Sequence, residues 1–146
     1  MRLALGSDHA GFEAKQALSA YLKTAGHVID DSGCFSTESC DYPDFAFAVG
    51  KAVVNQEVDF GILICGTGVG MSITANKIEG IRAALCTSTT HAQLSREHND
   101  ANILCTGARL QTKDEMELIT KVFLETSFSG GRHARRVEKI HELTGH

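Results

Sequence analysis

With 146 residues, 42% of them hydrophobic, the chain can bury one core and is too short for two comfortable ones, so a single domain over residues 1–146 is expected. A formal net charge of −4 argues against a general nucleic-acid binder, which would carry a basic balance. No apolar stretch approaches the ~18 residues that span a bilayer and no signal-peptide pattern opens the chain, so a cytoplasmic protein without membrane contact is expected.

Arg2–Gly6 reads as a short apolar strand. Ala14, Ala17, Leu18, Tyr21, Leu22 and Ala25 then share one face of a helix over Ala10–Ala25, stopped by Gly26. His27–Asp30 is a second strand, followed by a polar loop over Ser32–Asp41. Pro43, the only proline, fits the first turn of a helix with the face Phe45, Ala48, Val49, Ala52 and Val53. The apolar run Phe60–Cys65 reads as a buried parallel strand, and Met71–Lys77 as the helix after it. Arg82–Cys86 and Asn102–Thr106 are strands on either side of a helix over Thr89–Glu97. Such alternation with short connections implies right-handed crossovers and a sheet covered on both faces, a three-layer, doubly wound, Rossmann-like α/β fold.

The last part of the chain differs. A helix over Thr112–Thr126 carries Met116, Leu118, Ile119, Val122 and Phe123, a wider apolar face than a surface helix needs, so a subunit contact is expected there. Ser129-Gly130-Gly131 breaks the chain before a final helix that starts near Arg132 and carries Val137, Ile140 and Leu143. A terminal helix on a glycine hinge is expected to extend to a neighbouring subunit, giving at least a homodimer, with a homotetramer as the larger alternative.

The strand Phe60–Cys65 delivers one thiol to the mouth of the turn Gly66-Thr67-Gly68-Val69-Gly70. A dinucleotide fingerprint would require glycine where Met71 stands, and no Gly-Lys-Ser/Thr follows as in a nucleoside-triphosphate loop. The turn either tightens strand–helix packing or presents several N–H donors to a small oxyanion. The following helix N-terminus favours a thiolate at Cys65, which is read as a base or nucleophile. Cys86 and Cys105, at or near strand ends, are read as core. With Cys34, Cys40 and Cys65 they make an odd count of five without a C-x-x-C pair, so reduced thiols are expected rather than a disulfide scaffold or a thiolate zinc site.

Ser7-Asp8-His9-Ala10-Gly11 places an acid and an imidazole at the same sheet edge as Cys65, though Asp8 could equally cap the first helix. His98 closes a helix, where the dipole alone would favour it. Arg132 and Arg136, four apart, share a helix face and repel by roughly 0.2–0.5 kcal/mol unless an anion lies between them. A phosphate reverses that sign, and His9 could be a third donor if the tail folds over the first turn.

Six separated motifs in one order resemble the type B ribose-5-phosphate isomerase family, which also includes allose- and galactose-6-phosphate isomerases. They are Ser7-Asp8-His9-Ala10-Gly11-Phe12, Asp41-Tyr42-Pro43, Ile64 to Gly70, Ala75-Asn76-Lys77 through Gly80-Ile81-Arg82-Ala83, Ser95 to Asn102 and Gly130-Gly131-Arg132-His133. The resemblance implies a metal-free, cofactor-free aldose–ketose isomerase acting on a phosphorylated sugar, ribose 5-phosphate before six-carbon sugars such as allose 6-phosphate. That reaction lies in the non-oxidative branch of the pentose phosphate pathway; a non-catalytic sugar-phosphate sensor is the rival. It implies that Cys65 moves a proton from C2 to C1 through a cis-enediolate, while Thr67 and the N–H groups of Gly66, Gly68, Val69 and Gly70 hold the oxyanion. His98 would open the furanose ring, Asp8 assist proton transfer and Tyr42 line the sugar pocket. His9, Arg132 and Arg136 would hold the phosphate, with Arg109 reaching in across a dimer interface. In the family the site is shared, so His98, Asn99 and Arg109 would serve the partner's Cys65. Some members replace the cysteine by a glutamate a few residues later; Ser72-Ile73-Thr74 holds no acid here.

Overall fold

Eleven elements follow one another: β1 (Arg2–Ser7), α1 (Phe12–Thr24), β2 (Val28–Asp31), α2 (Tyr42–Val54), β3 (Phe60–Cys65), α3 (Val69–Ala75), β4 (Ala83–Leu85), α4 (Thr89–Asn99), β5 (Ile103–Gly107), α5 (Lys113–Glu125) and α6 (Arg132–Thr144). They belong to a computed structural model that describes residues 1–145. The strands form one all-parallel sheet in the order β2-β1-β3-β5-β4.

The connections β1 to β2 and β4 to β5 step one way across this sheet, and β2 to β3 and β3 to β4 step the other. Right-handed crossovers therefore put α1 and α4 on one face and α2 and α3 on the opposite one. The packing agrees, since α5 rests between α1 and α4 while α2 rests on α3. Side chains alternate accordingly. Leu3, Leu5, Ile62, Ile64 and Leu104 join Leu18, Leu22, Met116, Ile119 and Phe123 in one core, and Ala4, Leu63, Cys65, Ile103 and Cys105 join Val49, Met71 and Ala75 in the other. Each fully buried Leu, Ile or Phe contributes about 1.5–3 kcal/mol of transfer free energy.

Two expectations change. The face buried by α2 is Ala46, Val49, Gly50, Ala52 and Val53, with Phe45 half-buried and Ala48 exposed. The reason is Gly50: a Cβ there would lie 2.4 Å from Ile78 Cδ1, so the segment after α3 docks where a side chain is missing. The wide apolar face of α5 is used inside the chain, because α5 is flanked by α1 and α4 and buries Met116, Ile119, Phe123 and Leu124, leaving Leu118 exposed. The last helix, α6, packs on α4 of its own chain: His133 stacks on His98, Val137 and His141 are half-buried, and Ile140 and Leu143 are exposed. No described helix is long and apolar enough to cross a membrane.

Candidate active site

Two topological switch points, β1/β3 and β3/β5, bring three loops together at the carboxyl edge of the sheet. Cys65 is the last residue of β3, opposite Gly107 of β5 and 5% exposed. The loop after β1 is tied to it where Asp8 N–H donates to the Ile64 carbonyl at 3.2 Å. The loop after β5 is tied to it where Ala108 N–H donates to the Cys65 carbonyl at 2.8 Å and Arg109 N–H to the Gly66 carbonyl at 3.0 Å.

Within this cluster the Gly68 N–H donates to Cys65 Sγ at 3.1 Å, a bond that strengthens as negative charge builds on sulfur. Gly68 adopts φ +79°, and a Cβ there would meet Leu85 Cδ1 at 2.6 Å and the Thr106 carbonyl carbon at 2.9 Å. The turn can therefore only be made by glycine. Thr67 is exposed beside it, its Oγ1 accepting from Val69 N–H at 3.4 Å. Tyr42, at the start of α2, lays its ring on Gly70, where a Cβ would come within 2.6 Å of the ring. Arg109 lies over Gly66 of its own chain, its Nη1 3.3 Å from where a Cβ would stand. Arg109 thus approaches the turn from the same chain rather than across an interface, because β5 pairs directly with β3.

Asp8 is 7% exposed and its Oδ1 accepts from Gly11 N–H at 3.0 Å, so it braces the turn before α1 while remaining beside the Cys65 loop. His9 is anchored through Nδ1, which lies 3.3 Å from both the N and the O of Cys40. Cys86 and Cys105 are core: burial pushes the Cys86 thiol up to about 11 and holds Cys105 strongly protonated. Among the described residues no three His, Cys, Asp or Glu side chains gather as a metal-binding set.

A second group forms elsewhere. Parallel strands place the end of α4 just before β5, at the amino edge, so His98 and Asn99 stand a strand length, roughly 17–20 Å, from Cys65. The start of α6 joins them: Ser129 N–H donates to the Glu97 carbonyl at 3.0 Å, and the His133 ring stacks on His98. Arg132 and Arg136 are both exposed on this helix. The tail therefore does not fold over the first turn of its own chain, and His9 is not joined by these arginines within one chain.

Residues that carried the resemblance without an assigned task now have structural ones. Arg96, 7% exposed over the Phe60 and Phe123 rings, pairs through Nη1 with Asp100 Oδ1 at 2.7 Å, and Arg82 Nε donates to the Asn99 and Asp100 carbonyls at 3.1 and 2.9 Å. These bonds set the end of α4, hence His98 and Asn99. Asn76 accepts from Ala83 N–H and donates to its carbonyl, closing the free edge of β4 at 2.8 and 2.9 Å. Sequence reading missed Lys15, a fully buried lysine paired with Asp31. It sat one residue off the apolar stripe of α1, and its only sequence signal was a charge next to that stripe.

The family model described as Ribose/Galactose Isomerase matches residues 3–140. The chain is 48% identical over 139 residues to ribose-5-phosphate isomerase B of Escherichia coli K12, covering 95% of this chain and 93% of that protein. It superimposes on ribose-5-phosphate isomerase B of Clostridium thermocellum with a TM-score of 0.98 at 49% identity, covering 99% and 98% of the two chains. A ribose 5-phosphate isomerase of Thermotoga maritima gives 0.95 at 50% identity, with 97% of each chain covered. With its family model spanning nearly the whole chain and relatives near half identity end to end, the protein belongs to the ribose/galactose isomerase family.

Proposed function

We propose that this protein is a ribose-5-phosphate isomerase that interconverts ribose 5-phosphate and ribulose 5-phosphate with Cys65 as base. The observation that carries the reading is the buried thiol at the end of β3, hydrogen-bonded by Gly68 N–H and wrapped by glycine backbone. In the opened aldose, the Cys65 thiolate removes the C2 proton. The C1 carbonyl becomes an enediolate oxygen held by the N–H groups between Gly66 and Gly70 and by the Thr67 hydroxyl. The thiol then returns the proton to C1 and the C2 oxygen becomes the ketone. The carbon acid is weak, so donors fixed in place before charge develops must carry much of the stabilisation, worth about 10²–10³-fold each in comparable sites. Asp8 assists proton movement between the sugar oxygens, and Tyr42 bounds the pocket.

Ring opening by His98 and phosphate binding by Arg132 and Arg136 require a second copy. Their separation from Cys65 along the strand direction is the argument: two chains related by a two-fold axis bring the carboxyl edge of one against the amino edge of the other and complete two equal sites. His9 and Arg109 then meet the partner's arginines around the phosphate.

The test is proton NMR of ribose 5-phosphate with the protein in deuterated buffer containing EDTA, in parallel with allose 6-phosphate. Ribulose 5-phosphate carrying solvent deuterium at C1 is expected. Preference for the six-carbon sugar would change the substrate, a need for added metal would remove the metal-free reading, and conversion of neither would leave a sugar-phosphate sensor.

A further inference from the structure

None of the roles above uses His133. Its ring lies face to face with His98, centroids 4.2 Å apart and planes inclined by 4°. The stack is built within one chain, from the Ser129–Glu97 backbone bond that docks the start of α6 and from the His133 N–H donating to the Gly130 carbonyl at 3.0 Å. Desolvation pushes the His133 imidazole below its ordinary range, and the neighbouring His98, Arg132 and Arg136 push it the same way, with Glu97 opposing them. Of the other charges nearby, Arg96 and Arg82 are paired with Asp100. His141, also on α6, lies 3.3 Å from Arg82.

Two protonated imidazoles in a parallel stack are like charges a few ångströms apart, and the two arginines add to that repulsion. A phosphate dianion between Arg132 and Arg136 cancels the arginines' share of it. Resting on the roles proposed for His98 and the arginines, we propose that His133 is a positioning residue. It holds the His98 ring in plane and takes up a proton when the sugar phosphate arrives. The proton it gains puts a positive charge beside the bound sugar phosphate, while the stacked ring keeps His98 in place for ring opening.

Histidine side-chain NMR of the whole labelled protein, titrated in pH with and without inorganic phosphate, tests the coupling. The His133 proton affinity is expected to rise roughly tenfold with phosphate, a shift of about one pH unit. His133→Phe keeps a flat ring against His98 and removes the proton. Its turnover of ribose 5-phosphate is expected to fall about tenfold with a displaced acid limb in the kcat profile and an unchanged KM. A His133 midpoint indifferent to phosphate, or a wild-type pH profile in His133→Phe, overturns the proposal. His98→Asn separates the two levels. If it turns over like the parent, the ring-opening reading fails; if it is impaired while His133→Phe behaves as the parent, this inference alone fails.

Discussion

At the carboxyl edge, backbone packs on backbone; at the amino edge, side chains hold side chains. A Cβ at Gly11 would lie 2.4 Å from the Ile64 carbonyl oxygen, and one at Gly107 would lie 2.7 Å from Thr67 backbone, so the loops around Cys65 interlock with no side chain between them. The end of α4 is set instead by the guanidinium groups of Arg82 and Arg96 on Asp100, and Asn99, Arg132 and Arg136 are exposed. The contrast matches the two proposed tasks. Taking a proton from a weak carbon acid needs dipoles that do not reorganise, whereas a phosphate dianion is captured by forked cations reachable from water.

The sharpest way to break this division is Cys65→Ala. Turnover is expected to fall by about 10³-fold or more with sugar-phosphate binding, measured by calorimetry, nearly intact; substantial residual isomerisation would move the base elsewhere. Gly68→Ala attacks the interlocked backbone. Its positive φ and the contacts awaiting a methyl group predict about 2–4 kcal/mol of lost stability in denaturant unfolding, with a large fall in kcat. If Gly68→Ala folded and turned over normally, the turn would not be the rigid element described.

On the other side, Arg136→Ala is expected to raise KM about tenfold or more and to change kcat less, read from steady-state kinetics. A loss confined to kcat would remove Arg136 from the phosphate role. The smallest effect tests a region outside both groups. Thr112 and Glu115 form a reciprocal capping box at the start of α5, and Thr112→Ala should lower stability by about 1 kcal/mol without altering kinetics. The Thr112 backbone N–H, then its hydroxyl, hold the Glu115 carboxyl below its ordinary range. Because the folded value is depressed, this contribution is present above the ordinary carboxylate range and is lost as pH falls through the lowered value. Thermal melts of Glu115→Gln and the parent should therefore converge on acidification.

Much of this was legible in the chain itself. The apolar runs at Leu3–Leu5 and Ile62–Ile64, the stripe of α1, Pro43 in the first turn of α2 and the glycines around Thr67 are local patterns, and local patterns follow from backbone sterics and burial over a few residues. Thus the alternation, the parallel sheet, the place of Cys65 at a strand end and the family were all readable. What only the tertiary structure decided was the order of the sheet, with β5 between β3 and β4. That order lays Arg109 over its own Gly66, and it follows from the direction of each crossover and the cores it buries. The docking of α6 on α4, which pairs His133 with His98 and parts Arg132 and Arg136 from His9, was equally illegible. So were the rotation of α2 about Gly50 and the burial of Lys15 against Asp31, because each depends on surfaces contributed by residues far apart in the chain.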